Sequence, residues 1–322
     1  MSPTDSTAGA VHAPAASHAS RETAVTVTGD IAPDSLGTVL PHEHLLSDFR
    51  TPGDTDGSWA TAGRVRPMTA SRLRLYRAPL TMDLLGEVGM GAPNRDNWLL
   101  DDEELAADEA AAFKLAGGDT LVDVTTIGLG RDPAGLRRIS EATGLNIVMG
   151  SGWYHPARVG GLAGRDAESL TEEIVRDLTE GVDGVRAGVI GELAALDPEA
   201  PAERAVLVAA ARASAATGAP ISLGRSDDPA TQQRVLDLLA EEGADLTRVA
   251  VGHCDALSPT VRGSPDHQES RPAPRGDNRL LRALRALRTL SALRALSGLH
   301  ALRALPDRPG RPGRPDRTGR PG

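Results

Sequence analysis

Short apolar runs alternate with amphipathic helical stretches along most of the chain, and this alternation limits the possible folds more than any other feature. The runs expected to form strands span residues 36–40, 120–125, 145–149, 187–190, 220–223 and 248–251. The stretches expected to form helices span residues 101–116, 133–143, 167–180, 202–217 and 229–242. Six strands joined by helices favour a parallel sheet. Their even spacing predicts an α/β fold, a (β/α)8 TIM-type barrel that is incomplete, with about six βα units.

Both ends of the chain depart from this pattern. Residues 1–22 are rich in Ala, Ser, His and Thr without an apolar segment, so we expect a disordered leader and no signal peptide. Residues 258–322 are rich in Arg, Pro, Gly and Leu and contain no run that resembles a strand. The sequence therefore predicts a partial barrel over residues 23–257, followed by a low-complexity tail that is disordered or a product of out-of-frame translation.

Charge is divided sharply between the barrel region and the tail. Residues 1–257 carry a formal net charge of −18, whereas residues 258–322 carry +9. An acidic body does not favour nucleic acid, and the tail lacks the fixed apolar helix face with which proteins bind membranes. A tail that adapts the protein to an anionic membrane or nucleic acid is the weaker alternative. With one cysteine, Cys254, and no apolar span, we expect a cytoplasmic protein.

Two histidines follow the first expected strand at a spacing that has direct geometric meaning. His42 and His44 are separated by one residue, and alternate side chains of a strand point to the same face. Two imidazoles on one face can share a metal ion. The carboxyl ends of barrel strands are also where barrel enzymes place their chemistry. Surface or core histidines remain the alternative, because such pairs are common.

Two further metal-capable side chains occur at expected strand ends. Glu192 follows the strand at 187–190, and His253 follows the strand at 248–251. In isolation, Glu192 is equally consistent with a salt-bridged carboxylate, and His253 with a capping or core histidine. Because the carboxyl ends of barrel strands converge, the four side chains together favour a site for Zn²⁺ or a similar divalent ion.

The stretches 37–44, 117–154, 189–192 and 251–255 resemble the phosphotriesterase-like family of the amidohydrolase superfamily. The run Gly-Leu-Gly-Arg-Asp-Pro at 128–133, together with the strand-end histidine pair, is the most specific part of this resemblance. It implies a (β/α)8 barrel with a two-metal centre. It also implies that a hydroxide held between two divalent ions attacks an ester, a lactone or a phosphotriester.

The resemblance also implies roles for individual residues. His42 and His44 would bind the more buried ion, Glu192 would bridge both ions, and His253 would bind the exposed ion. Some members of the family use a carboxylated lysine as the bridge. Here the only lysine, Lys114, lies in an expected helix, so the bridge would have to be the glutamate.

Two positions depart from the family pattern. The fifth strand ends in Gly224 and Arg225 where the family has a histidine, through substitution or a two-residue deletion. Asp227 or Asp228 is a candidate replacement ligand, although an ordinary turn or helix cap is favoured. The aspartate of the eighth strand has no counterpart either, which leaves the catalytic base unidentified. The alternative function is therefore a catalytically inactive, truncated or frameshifted remnant of such an enzyme.

The remaining predictions concern substrate and partners. Tyr154 and His155 end the third strand and are expected to contact substrate, although a structural histidine beside Pro156 fits equally well. The long segment 47–97 is expected to lie on the substrate side. The partner is thus a small ester or lactone, with no nucleic acid or membrane. Six βα units would leave two sheet edges open, which predicts a homodimer or aggregation.

Overall fold

A computed structural model of the chain describes residues 23–62, 64–159, 162 and 164–254. The expected leader at 1–22 and the expected tail at 258–322 lie outside the described residues, so both remain predictions. Within the described ranges, no helix combines the length and the apolar character needed to cross a membrane.

Strands and helices alternate in the described chain as the sequence predicts. The strands are β1 Ala24–Thr26, β2 Gly29–Ile31, β3 Val39–Glu43, β4 Ser47–Asp48, β5 Leu99–Leu100, β6 Thr120–Asp123, β7 Asn146–Ser151, β8 Val189–Leu193, β9 Ile221–Leu223 and β10 Val249–Val251. The α-helices are α1 Asp56–Thr61, α2 Ala70–Arg77, α3 Leu85–Gly89, α4 Glu103–Leu115, α5 Pro133–Thr143, α6 Ala167–Thr179, α7 Pro201–Thr217 and α8 Pro229–Glu241. Short 3-10 turns span Pro33–Leu36, Met82–Leu84, Pro156–Arg158 and Leu246–Arg248.

Six of the strands form one parallel sheet in the order β3-β6-β7-β8-β9-β10. Each strand lies beside the next sheet strand in the chain, and a helix joins each pair, which is the arrangement of a (β/α) barrel. The predicted fold class is confirmed as a curved, partial barrel of six strands. Strands β3 and β10 are its two edges within the described residues.

The ends of α5 show how local sequence sets these helices. Asp132 caps the first turn, where its carboxylate accepts a hydrogen bond from the Gly135 amide at 2.9 Å, and Pro133 occupies the position that tolerates a missing N–H. Gly144 ends the helix in the left-handed conformation, with φ of 67° and its N–H donated to the Ser140 carbonyl. Since both signals are local, the predicted range 133–143 matches the structure.

The expectation for the first strand was wrong by three residues. Residues Pro33–Leu36 form a 3-10 turn, and Gly37 adopts a left-handed φ of 58° that ends it. The strand therefore begins at Val39 and continues to Glu43, so that His42 lies within the strand. The apolar run that suggested an earlier start includes Leu36. This residue belongs to the turn that begins at a proline, so it does not join the sheet.

A small hairpin closes the amino end of the sheet. Strands β1 and β2 pair antiparallel, and the Val27 amide between them donates to the Ile147 carbonyl of β7 at 2.8 Å. Val27 is almost fully buried in the main core. Because the hairpin covers the amino ends of the strands, the carboxyl ends are left as the face that carries the polar side chains.

The long segment after β3 is an insertion with its own small core. The pairing of β4 with β5 brings its two ends together. Inside it, the rings of Trp59, Tyr76 and Trp98 pack with centroids 5.3 to 6.2 Å apart. Trp59 is only 1% exposed, so it packs inside the insertion and does not line a pocket. The insertion is therefore a folded unit beside the carboxyl end of the sheet.

Candidate metal centre

Three donor side chains meet at the carboxyl end of the sheet. His42 comes from β3, His44 directly follows β3, and Glu192 comes from β8. The Nε2 atoms of His42 and His44 lie 3.4 and 3.7 Å from the same carboxylate oxygen, Glu192 Oε2. One ligating atom from each residue falls within 4.8 Å of the other two. Two strands that are far apart in the sequence thus place three metal-capable groups around one point.

His253 approaches the same carboxylate from the other side. Its Nε2 atom lies 3.4 Å from Glu192 Oε1, and its ring centroid is 5.0 Å from that of His42. The His253 side chain is 62% exposed, and its backbone has a left-handed φ of 56° just after β10. Glu192 therefore presents one oxygen to the histidine pair and the other to His253.

An irregularity in β8 turns Glu192 into this position. The register between β8 and β9 shifts between Ile190 and Leu193, as in a β-bulge, and bulges re-aim side chains next to active sites. Gly191 lies in the bulge and has a φ of 112°. A Cβ atom at this position would collide with the Ser222 carbonyl of β9. The Glu192 amide donates to the Val124 carbonyl at 2.8 Å. The backbone at Glu192 is thus held by the residue that follows β6, while β9 leaves no room for a side chain at Gly191.

Side chains at the end of β6 hold the second histidine. The Nδ1 atom of His44 is hydrogen-bonded to Thr125 Oγ1 at 2.9 Å. The fully buried Asp123 carboxylate accepts hydrogen bonds from the Leu45 amide at 2.7 Å and the Thr125 amide at 2.9 Å. Burial raises the pKa of Asp123, and these hydrogen bonds oppose the rise. Sequence reasoning missed both residues, although their place at an expected strand end was a signal for them.

The histidine pair controls the charge of Glu192. Burial acts to raise the pKa of this carboxyl group, since its side chain is only 6% exposed. Hydrogen bonds and positive charge from His42 and His44 outweigh burial and lower the pKa to about 2. The carboxylate is therefore ionised at neutral pH, the state in which it can bind a cation.

Aromatic rings form a wall beside the histidines. The Phe49 ring meets the His44 ring edge to face at 5.0 Å, and the Tyr154 ring meets Phe49 at 5.7 Å. Burial raises the pKa of Tyr154, and the negative charge of Glu192 raises it further. Tyr154 therefore lies beside the site, and its contact with substrate stays a prediction. Phe49 was not predicted, because nothing in the sequence distinguishes it from other residues of the insertion.

His155 points to a different partner. Its Nε2 atom lies 3.5 Å from Glu203 Oε1 on α7, and its Nδ1 atom accepts a hydrogen bond from the Ala157 amide at 3.1 Å. This geometry fits the structural alternative, a histidine that fixes the turn after β7. Its contact with substrate stays a prediction.

The residue after β9 is a glycine, at the position where the family resemblance predicts a histidine. A Cβ atom placed on Gly224 would lie 3.2 Å from Glu192 Oε1, so the position itself borders the site. The next side chain, Arg225, turns away and donates to the His253 carbonyl at 3.1 Å. Gly224 thus leaves the His253 side of Glu192 with one imidazole among the described residues.

The two aspartates that follow have structural roles. Asp227 forms an ion pair with Arg225 at 3.0 Å and its side chain is 98% exposed. Asp228 caps α8, where its carboxylate accepts hydrogen bonds from the amides of Ala230 and Thr231. These contacts match the turn and helix-cap alternative. The aspartates of the tail, Asp266, Asp277, Asp307 and Asp316, do not end an apolar run in the sequence and lie outside the described residues.

Curated proteins and solved structures are similar to this chain over about the same 71–72% of its length. A curated N-acetyltaurine hydrolase from Xenopus tropicalis is 34% identical over 237 residues, which cover 71% of this chain and 64% of that protein. Among solved structures, a resiniferatoxin-binding protein from Rhodobacter sphaeroides is 36% identical with a TM-score of 0.65, covering 72% of this chain and 63% of that one. A mutant phosphotriesterase-like lactonase from Deinococcus radiodurans is 30% identical with a TM-score of 0.51, covering 72% and 64%.

The match covers the partial barrel and ends near the point where the described residues end. The chain spans just under two thirds of the length of the relatives it matches. The sequence model of the phosphotriesterase family matches residues 23–261, which is well over half of the chain. This protein therefore belongs to the phosphotriesterase family.

Proposed function

We propose that the chain is a zinc-dependent hydrolase that cleaves an ester, lactone, phosphotriester or simple N-acyl amide bond in a small molecule. The observation that carries the proposal is the meeting of His42, His44 and Glu192, with ligating atoms within 4.8 Å of one another. The names of the relatives support these bond types, because one is called a hydrolase of an N-acetyl amide and another a lactonase.

The donor set fits the ion. Two imidazoles and one carboxylate are a ligand set that catalytic zinc sites use, with a further position left for water or substrate. Within the described part of the chain, no other group of three such side chains comes together. A second ion would use Glu192 Oε1 and His253, which supply two of the ligands it needs. We therefore place the tighter ion at the histidine pair and the weaker one at His253.

The bound ion supplies Lewis acidity, which polarises the oxygen that gains charge and lowers the pKa of water towards neutrality. The chain itself fixes the ligands. Thr125 Oγ1 lies 2.9 Å from Nδ1 of His44; with an ion bound it would accept the Nδ1 proton and leave the Nε2 lone pair for the ion, the arrangement that orients zinc-bound histidines elsewhere. The ionised Glu192 would offset part of the positive charge of a bound ion. It also links the histidines at the end of β3 to β8.

Tyr154 is the proposed substrate contact among these residues. Because burial raises its pKa, its hydroxyl stays protonated at neutral pH and can donate a hydrogen bond to a substrate oxygen. The Phe49 ring beside it keeps water from one side of the histidine pair. Hydrogen bonds at a desolvated site contribute more to stabilising developing charge than they would in water.

A chain that binds one ion without turnover is the second candidate. The specific observation in its favour is the asymmetry at Glu192, where Oε1 is bordered by the highly exposed His253 and by Gly224, which has no side chain. In addition, no described residue takes the role that the resemblance assigns to the aspartate of the eighth strand. Under this alternative the metal site is retained and the reaction is lost.

Turnover of three substrates by the zinc-loaded protein separates the two candidates. We would assay N-acetyltaurine, a γ-lactone and an aryl phosphotriester, with His42→Ala as the site variant. The proposal expects hydrolysis of at least one substrate, lost in His42→Ala and unchanged in Thr143→Val, whose hydroxyl bonds only to backbone groups of Ile139 and Leu145 among the described residues. Full zinc occupancy without turnover of any substrate would support the second candidate.

A further inference from the structure

Two arginines converge on one backbone oxygen at the outer side of the aromatic wall. Arg64 Nη1 and Arg158 Nη2 donate to the Phe49 carbonyl at 2.6 and 2.9 Å. The Arg64 guanidinium also stacks on the Trp98 ring, with its central carbon 3.8 Å from the ring centroid. Two like charges are therefore held side by side, although repulsion between them opposes this arrangement.

Neither arginine forms an ion pair with a carboxylate of the described residues at contact distance, although the charge of Asp48 acts on Arg158. The acid of the same loop, Asp48, is already bound at two points by Arg50, with contacts of 2.9 and 2.5 Å. Burial lowers the pKa of both Arg64 and Arg158, and the charge of Arg158 lowers that of Arg64 further. Both nevertheless stay cationic, because arginine does not lose its proton in proteins. A local excess of positive charge thus exists on a body whose net charge is strongly negative.

The arginine pair adjoins the candidate metal centre. The central carbon of the Arg158 guanidinium lies 5.8 Å from the ring centroids of both Phe49 and Tyr154. Phe49 in turn contacts the His44 ring. The Phe49 ring therefore lies between the Arg158 guanidinium and the metal-capable His44.

The two arginines differ in how many of their N–H groups already donate hydrogen bonds to described residues. Both terminal nitrogens of Arg158 donate to carbonyls of the loop 48–50, so Arg158 fixes that loop. Arg64 uses one terminal nitrogen in a hydrogen bond to a described residue. A guanidinium has five N–H donors, which leaves Arg64 with a planar set that suits the two oxygens of an oxyanion.

We propose that Arg64 and Arg158 form a subsite for an anionic group of the substrate, a sulfonate or a carboxylate, while the bond to be cleaved lies at His42, His44 and Glu192. The inference rests on the proposed function for the position of the reacting bond. It adds a specificity determinant: the substrate carries a negative charge a few bonds away from its acyl group. The name of the N-acetyltaurine hydrolase relative agrees with this class, because taurine is a sulfonate.

Direct binding tests the subsite without relying on turnover. The probes are N-acetyltaurine, N-acetyl-β-alanine and the neutral methyl sulfone with the same chain length. Fluorescence of the tryptophans reports binding, since Trp98 contacts Arg64. Charge-assisted hydrogen bonds predict that an anionic probe binds about 10–100-fold more tightly than the neutral one. The two anions distinguish sulfonate from carboxylate recognition.

Variants assign this preference to the pair. Arg64→Met should reduce the preference to less than about threefold, whereas Arg64→Lys should keep part of it through its charge. Arg72→Met is the matched control, because Arg72 is an exposed arginine of the same insertion, and it should bind as the unaltered protein does. If Arg64→Met does not fold, as judged by its melting temperature, Arg64→Lys and the salt dependence of binding decide the question.

The outcomes separate this inference from the proposed function. Equal binding of anionic and neutral probes, or an unchanged preference in Arg64→Met, overturns the subsite. A preference that depends on Arg64 in a protein without turnover keeps the subsite and removes the hydrolase. Turnover that is indifferent to substrate charge keeps the hydrolase and removes the subsite.

Discussion

The two sides of Glu192 differ in how completely they are built. On the β3 side, Oε2 faces His42 and His44, and Thr125 at the end of β6 holds the second of these. On the β10 side, Oε1 faces only His253, a largely exposed side chain beside the bare backbone of Gly224. One carboxylate thus connects a side with two histidine ligands to a side with one.

This difference shows what a partial barrel can retain. The β3 side is assembled by β3, which is one edge of the described sheet, together with residues of β6 and β8 inside it. The β10 side lies at the other edge of that sheet. Among the described residues, β10 pairs with a neighbouring strand on one side only. We therefore expect the tighter binding of an ion at the histidine pair, whose supporting contacts lie within the described residues, and weaker binding at His253.

The largest expected effect follows from removing the shared carboxylate. Glu192→Gln keeps the shape of the side chain but removes the negative charge that both sides use. We expect zinc affinity to fall by well over about 100-fold, beyond the range typical of residues that only orient a ligand. A competition titration with a chelator measures this. Glu203→Gln, which alters the partner of His155, is the control and should change affinity by less than about threefold. Equal losses in both variants would contradict the account.

The glycines on the two sides should also differ in tolerance. Gly191→Ala places a Cβ atom against the Ser222 carbonyl at a φ of 112°, and we expect a loss of about 3 kcal/mol or more in the free energy of unfolding. At Gly224, where φ is not left-handed, the nearest atom to an added Cβ is 3.1 Å away, and the expected loss is about 1 kcal/mol. Urea unfolding of both variants tests the comparison. A greater loss at Gly224 would reverse it.

A smaller effect is expected from the residue that orients His44. Thr125→Val removes the hydroxyl bonded to Nδ1 of His44, and zinc affinity should fall by roughly 10–100-fold with little change in fold. Thr143→Val removes a hydroxyl that, among the described residues, bonds only to the backbone of Ile139 and Leu145 and should leave affinity unchanged. The same titration applies. If Thr125→Val binds zinc as tightly as the unaltered protein, the hydroxyl does not position the ligand.

The smallest effect concerns acid stability of the metal-free protein. Folding lowers the pKa of Glu192 from 4.5 to about 2, so its contribution is present above pH 4.5 and is lost as the pH falls towards 2. Between pH 6 and pH 3.5 this contribution decreases by about 1 kcal/mol. Glu192→Gln should therefore lose less stability over that range in urea unfolding with a chelator present. An identical pH dependence in both proteins would show that the histidines do not hold the ionised carboxylate.

Local signals made most of the fold predictable. Caps such as Asp132 and Asp228, and the terminal glycines Gly144 and Gly218, lie next to the ends they determine, so helix ranges agree within one or two residues. The first strand was misplaced because its start depends on Asp119, which is distant in the sequence: the Asp119 carboxylate accepts a hydrogen bond from the Thr38 amide at 2.9 Å and leaves no room for a side chain at Gly37. Strand order followed from chain order, as expected in a barrel of consecutive βα units.

The candidate site was predictable only in part, for a related reason. Histidines and carboxylates at strand ends are visible in the sequence, and the structure brings His42, His44, Glu192 and His253 together. The supporting residues were not visible. Thr125 reaches His44 across the pairing of β3 with β6, and Arg64 meets Arg158 only at the Phe49 carbonyl. Such contacts arise from the folded arrangement, because no short-range pattern encodes them.

Zinc titration of the full chain, with His42→Ala and His253→Ala compared under identical conditions, tests the central claim most directly. The account predicts one tightly bound equivalent in the unaltered protein, lost in His42→Ala and retained in His253→Ala with an affinity within about tenfold. Loss of the tight equivalent in His253→Ala to the same degree as in His42→Ala, or its absence from the unaltered protein, would contradict the claim that His42, His44 and Glu192 form the primary metal site.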